Sequence, residues 1–298
     1  MKGIVIAGPT GVGKTELSIK LAKALNADII SADSAQVYNE MNIGTAKISK
    51  DEMQEVIHHM IDVVEPIKKY SVGDYQRKVD NILNENEGKN ILLVGGTGLY
   101  IDSVVRGLSA LPESDPLIRE SLMDKSGEEL YDLLKEIDQE SAESIHPNNK
   151  RRVERAVEVF YQTGEKFSTL SKRNIKGNNF KFLKVALERD RAYLYERINM
   201  RVDLMMENGL LEEVKYLYEK YGDILKKINI IGYSELIAYL NSELTLDEAI
   251  ELIKKNSRNY AKRQFTWFKN DHEYIWYDLD EMNEEEIFSD ILERFNAL

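Results

Sequence analysis

Residues 8–15 read GPTGVGKT and follow directly on the apolar run GIVIA. The pattern G-x-x-x-x-G-K-T, set between a strand and a helix, is a phosphate-binding loop, and it constrains the fold more than any other feature of the chain. Its strand must be buried in a sheet and its helix must pack on that sheet, so the chain opens as an α/β unit. The glycines of Gly8-Pro9-Thr10-Gly11-Val12-Gly13-Lys14-Thr15 let backbone N–H groups approach phosphate oxygens, and the helix N-terminus adds partial positive charge. Lys14 can neutralise the outer phosphate and the Thr15 hydroxyl can ligate Mg²⁺. A hydrolase or kinase using ATP, or an enzyme that expels diphosphate, could each begin this way.

Further apolar, β-branched runs at 27–31, 59–63, 90–94, 182–187 and 274–277 join the first strand at 3–7 and alternate with helical patterns. This predicts a mostly parallel sheet flanked by helices, with the phosphate loop of a P-loop NTPase-like fold. The first helix is expected to place Leu17, Leu21, Ala24 and Leu25 on one face. Another should start near Ser71, with Asp74 completing a capping box. Strand signals vanish between 113 and 179, where the spacing is helical throughout and is interrupted by Pro147 and Gly164. The expected organisation is therefore a core of 1–112 and 180–298 with an all-helical insert domain at 113–179. Residues 191–221 and 245–268 read as two long helices.

The chain has no cysteine, which removes disulfides, thiolate zinc sites and a cysteine nucleophile. The N-terminal apolar run is too short for a signal core or a membrane span, so the expectation is a cytoplasmic protein, monomeric, with no membrane and no obligate protein partner. A net charge of −12 argues at first against nucleic acid. Its distribution argues otherwise, because 254–269 carries Lys254, Lys255, Arg258, Lys262, Arg263 and Lys269 with no acid. On pattern alone that stretch is also an ordinary amphipathic helix, with a core face and a solvated basic face.

A nucleotide hydrolase needs an acid at the end of a second buried strand, yet LLVGGTGLY ends in glycines and a threonine. The nearest suitable acid is Asp33, in IISADSAQVY, which follows a strand and so lies at the ligand-binding edge of the sheet. An Asp-Ser pair in that place also serves as a cap. His58-His59 diverge on a strand or a helix and lack a third ligand nearby, so they read as structural.

GPTGVGKT, SADSAQVY, MNIGTAK, HHMIDV, YSVGDY, LLVGGTGLYI, HPNNKRRVERAVEV, IGYSEL and AKRQFTWF, in that order, resemble the tRNA dimethylallyltransferases. The resemblance implies transfer of a dimethylallyl group from dimethylallyl diphosphate to N6 of adenosine 37 in tRNAs reading codons that begin with U. Diphosphate leaves and N6-isopentenyladenosine forms, with Mg²⁺ as cofactor and the tRNA anticodon stem-loop as partner. The phosphate loop, residues 8–15, would then hold the departing diphosphate, with Lys14 neutralising its charge. No water needs activating, so the missing acid poses no difficulty. The resemblance puts a general base at Asp33, Thr97 within reach of the same adenine, and Mg²⁺ on Thr15 and Asp33. It makes Arg197 or Arg201 a further diphosphate ligand without choosing between them. It assigns RNA contacts to Asp33, Ser34, Ala35, Gln36, Thr97 and Arg119. The cluster Arg151, Arg152, Val153, Glu154 and Arg155 is included, although Glu154 stands where the family often has a neutral residue. Arg258, Lys262, Arg263 and Gln264 complete the set, and the aromatics of that helix, Tyr260, Trp267 and Phe268, are left to the core.

The rival within the same fold prenylates free AMP, ADP or ATP, which would need neither the insert nor the basic clusters. A small-molecule kinase and a non-catalytic nucleotide switch that binds RNA are the alternatives from other classes.

Overall fold

A computed structural model describes residues 2–109, 111–173 and 180–298. Two compact units divide the chain, Met1–Val105 with Asn179–Leu298, and Arg106–Asn178.

The first unit is built on six strands, β1 (Lys2–Ala7), β2 (Asp28–Ala32), β3 (His58–His59), β4 (Ile91–Gly95), β5 (Lys181–Glu188) and β6 (Ile275–Asp278). They lie in the order β3-β2-β4-β1-β5-β6, and every pairing is parallel. Helices cover both faces, which is why the central strands are apolar without a break. Ile4, Ile6, Ile29 and Leu92 enter one core, while Val5, Ala7, Ile30, Ala32 and Leu93 enter the other. The first core is closed by α1 (Lys14–Leu25) and α14 (Glu284–Ala297); the second by α2 (Val72–Glu85), α3 (Gly98–Val105), α10 (Leu210–Tyr221) and α12 (Tyr233–Leu240). Two longer helices, α9 (Arg191–Glu207) and α13 (Leu246–Lys269), contribute to both. A short helix, α11 (Ile224–Ile228), links α10 and α12.

The register levels three strand ends. Ala7 pairs with Gly95 and Ala32 pairs with Gly95, so β1, β4 and β2 finish side by side. Ser71 caps α2 in a full capping box with Asp74.

Several sequence expectations need correction. The strand expected at 59–63 holds only His58–His59, because Met60 and Asp62 take positive φ and leave the extended region. On α1 the expected Leu17 and Leu21 are buried and Leu25 packs beside them, but Ala24 is exposed and Ser18, Ile19 and Ala22 are buried in addition. The helix expected at 191–221 is two, broken at Asn208-Gly209, where Gly209 adopts φ 94°. The His59 ring donates from Nε2 to the Asp28 carboxylate at 3.0 Å, and among the described residues no group of three acids, histidines or cysteines could hold a metal. No described helix is long and apolar enough to cross a membrane.

The second unit is helical, with α4 (Pro116–Met123), α5 (Gly127–Ile137), α6 (Gln139–Ser144), α7 (Lys150–Thr163) and α8 (Phe167–Leu170) around Leu122, Leu130, Leu134, Ile145, Val153 and Val157. Asp138 fastens it, accepting hydrogen bonds from the backbone N–H and the hydroxyl of both Ser141 and Ser168. Residues 110 and 174–179, within the expected core and insert, lie outside the described residues.

Candidate active site

The site grows from the three levelled strand ends. After β1 comes the phosphate loop, which reaches α1 through Gly13 at φ 117°, a conformation that L side chains rarely adopt. Lys14 folds back over the loop and donates to the carbonyls of Gly8 and Pro9, each at 2.9 Å. Enclosure lowers its ammonium to about 8; the Asp33 carboxylate opposes that shift and the Arg201 guanidinium adds to it. Thr15, next to it at the start of α1, is exposed.

After β2 comes a turn that holds Asp33, Ser34, Ala35 and Gln36. Asp33 Oδ1 accepts from the Ala35 N–H at 2.8 Å, so the carboxylate does cap a turn; no described residue donates to Oδ2. Gln36 faces inward, accepting from the Ser31 hydroxyl and donating to the carbonyls of Thr45 and Ala46. After β4, Thr97 Oγ1 accepts from the Ser34 N–H at 3.0 Å and lies 3.4 Å from the Ser34 hydroxyl. Asp33 and Thr97 thus belong to one hydrogen-bonded corner.

Two cavities open at this corner. One, of about 340 Å³, is lined by the phosphate loop, Lys14, Thr15, Gly96, Arg197 and Gln264. The other, of about 380 Å³, has apolar walls from α9, including Ile198, Val202 and Met205, and polar groups from α13, including Tyr260 and Arg263. Thr10, Asp33, Thr45, Ala46 and Arg201 line both. Arg197 donates from Nε to the Gly11 carbonyl at 2.9 Å, while Arg201 reaches the Thr10 hydroxyl at 3.4 Å. Burial lowers the Arg201 guanidinium, and Asp33 counters this.

The remaining candidates divide. Lys262 and Arg263 are exposed, and Arg263 lies over the Tyr260 ring at 5.6 Å. Arg258 is half-buried and donates to Asn199 Oδ1, tying α13 to α9. Lys269 ends the stripe over the Trp276 ring at 3.8 Å and pairs with Glu188. Gln264 is 5% exposed and points into the protein. Of the aromatics left to the core, Phe268 is buried, Trp267 is exposed with its indole N–H on Asp102, and Tyr260 walls a cavity. In the helical unit Arg151 and Arg152 are exposed, Glu154 is half-buried, and the Val153 side chain is fully buried. Arg119 and Arg155 both pair with Glu158, a carboxylate with no exposed surface.

The model of one protein family, described as IPP transferase, matches residues 36–271. The chain belongs to this family. A tRNA dimethylallyltransferase of Fusobacterium nucleatum is 60% identical over 295 residues, covering 99% of this chain and 97% of the relative. That of Bacillus subtilis is 47% identical over 300 residues, covering 97% and 96%. Among solved structures, a full-length tRNA isopentenylpyrophosphate transferase from Bacillus halodurans superposes with a TM-score of 0.74 at 39% identity, covering 99% and 97%. A eukaryotic dimethylallyltransferase acting on tRNA gives a TM-score of 0.78 at 30% identity, covering 93% of this chain and 73% of that one. The fold is the P-loop NTPase-like fold of this family, and the protein is a prenyltransferase enzyme.

The donor set suits the metal that such chemistry calls for. The Thr15 hydroxyl and the Asp33 carboxylate are hard oxygen donors lining the phosphate-side cavity. Two protein oxygens leave the other positions of an octahedral ion to water and diphosphate, which is how Mg²⁺ is commonly held. Sequence reasoning missed Tyr260 as a cavity wall. It missed Gly44 to Ala46 as well, whose loop is held by Glu213 accepting from the N–H groups of Asn42, Ile43 and Gly44. Glu213 lies far along the chain, on a helix where it reads as one more solvated acid.

Proposed function

We propose that this enzyme transfers the dimethylallyl group of dimethylallyl diphosphate to N6 of adenosine 37 in tRNAs reading codons that begin with U, yielding N6-isopentenyladenosine. The observation that carries this reading is that Asp33 lines both cavities at once, with the phosphate loop beyond it on one side and Tyr260 and Arg263 on the other. Diphosphate would occupy the first cavity and the adenine of an extruded nucleotide the second.

In the reaction, the N6 nitrogen attacks C1 of the prenyl group, the C1–O bond breaks, and its electron pair leaves with diphosphate. Asp33 takes the proton that N6 sheds as the N–C bond forms, which is when that weakly basic amine becomes acidic. Lys14 leaves the Gly8 and Pro9 carbonyls to meet the leaving group, with Arg201 beside it. Arg197 orients the loop through Gly11. Mg²⁺, held by Thr15 with the Asp33 carboxylate nearby before that group takes the proton, would supply further neutralisation of the diphosphate. Thr97 keeps Ser34 and hence the Asp33 turn in place. We assign tRNA backbone contacts to Lys262 and Arg263, and in the helical insert to Arg151 and Arg152. Arg119 and Arg155 join them with their guanidinium groups already steadied by Glu158. Action on tRNA is consistent with a cytoplasmic enzyme.

Labelled dimethylallyl diphosphate supplied with either tRNA carrying A36-A37 or AMP decides the matter. Label on tRNA, with isopentenyladenosine in its digested nucleosides, is the expected result; label on AMP alone would sink the reading.

A further inference from the structure

Gln264 carries a task that neither its place in a basic stripe nor the family resemblance indicates. Its side chain is buried, and its two ends are both engaged. Oε1 accepts from the Thr10 N–H at 2.9 Å and Nε2 donates to the Gly96 carbonyl at 2.9 Å. A primary amide has one acceptor end and one donor end, which fits a loop N–H on one side and a carbonyl on the other. The approach is close. A Cβ on residue 96 would come within 2.1 Å of Nε2, so only glycine permits the contact.

The partners belong to different halves of the site. Thr10 is in the phosphate loop and lines both cavities, whereas Gly96 directly precedes Thr97, which holds the Asp33 turn through Ser34. The Thr10 N–H is thereby spent on Gln264 rather than offered to a phosphate. The amide projects from α13 one turn after Tyr260, so a single helix also fixes the aromatic wall of the second cavity.

We propose that Gln264 is a positioning residue, a cross-brace that sets the distance between the phosphate loop and the Asp33–Thr97 corner, and hence between the leaving diphosphate and the acceptor amine. The inference rests on the reading under Proposed function. Its physical basis is that chemistry between two bound partners depends steeply on their mutual placement, while the affinity for each alone does not.

Two variants test it in the full-length enzyme. Gln264→Met keeps the volume and makes neither bond; Gln264→Glu keeps the bond from Thr10 and faces the Gly96 carbonyl with a second oxygen. Wild-type prenyl transfer to tRNA establishes the reaction first, and its absence would overturn the underlying reading together with this one. With transfer established, both variants should fall about 30-fold in kcat. KM for each substrate should stay within about 3-fold, as should inhibition by inorganic diphosphate and tRNA affinity by fluorescence anisotropy. A folded variant with kcat within about twofold of wild type overturns the brace. So does a rise in KM for tRNA at unchanged kcat, which would return Gln264 to an RNA contact.

Discussion

The two cavities that share Asp33 differ in one flank. The phosphate-side cavity takes that flank from a contiguous stretch, Thr10 to Ser18, whose glycine spacing suits a phosphate, and the rest of its lining from the ends of β2 and β4, the 45–48 and 58–61 segments, α9 and Gln264. Apart from Thr10, the neighbouring cavity is assembled from five segments, the Asp33 turn, the 44–46 loop, α9, the 229–235 segment and α13. Backbone recognition of a phosphate needs a fixed spacing of glycines and therefore leaves a readable signature. A cavity assembled from five segments can exchange almost any residue for another of similar shape, and leaves none. On the proposed assignment, the part that would hold the leaving group leans on conformation, and the part that would receive the acceptor on packing.

That contrast can be broken by experiment. The largest effect should come from the shared carboxylate: Asp33→Ala should lose at least ~100-fold in single-turnover rate while tRNA binding, measured by anisotropy, stays near wild type. Equal loss of binding would mean that Asp33 serves the acceptor cavity alone. The two arginines of α9 should differ next. Arg201 lines both cavities and Arg197 only the phosphate side, so Arg201→Ala should lower kcat/KM about 30-fold and Arg197→Ala about 5-fold. Equal losses would remove the distinction between a boundary residue and a one-sided one.

Proton linkage gives a smaller effect confined to the phosphate side. Without ligand the Lys14 ammonium is lowered from 10.5 to about 8, and a bound diphosphate favours its charged form. Diphosphate binding should therefore take up a proton above about pH 8. Affinity stays intact below that pH and falls severalfold as pH rises by about two units, which calorimetry in buffers of different ionisation enthalpy would measure. Transfer from a preformed ternary complex should not follow that curve. The smallest effect belongs to the exposed stripe: Lys262→Ala should weaken tRNA about 3-fold and reduce the slope of log affinity against log salt by about 1, with kcat unchanged.

How much of this was legible in the sequence follows the same division. The phosphate loop, the parallel sheet and the two-sided core could be read because glycine spacing and unbroken apolar strands have few structural solutions. Asp33 was visible as a carboxylate at a strand end, yet its companionship with Thr97 came from resemblance, since 63 residues separate Ser34 from Thr97. The burial of Gln264 was not legible, for a physical reason. The residue lies among cations on a helix whose periodicity marks an apolar face but not what a polar side chain meets. The break at Asn208-Gly209 escaped because one glycine costs a helix only about 1 kcal/mol and does not by itself end one. The strand at 59–63 looked long enough in its apolar content, but Met60 and Asp62 turn the backbone out of the sheet.

The level finish of β2, β4 and β1 has a metric meaning. Neighbouring strands are spaced about 4.8 Å apart, so Asp33, the Gly96–Thr97 corner and the phosphate loop stand on successive rungs of one ladder, spanning about 10 Å. Hydrogen bonds hold the strand ends of that ladder, and Gln264 braces the loops that stand on it. The sheet is thus the gauge block of the enzyme: it sets the coarse spacing on which the brace makes its fine adjustment.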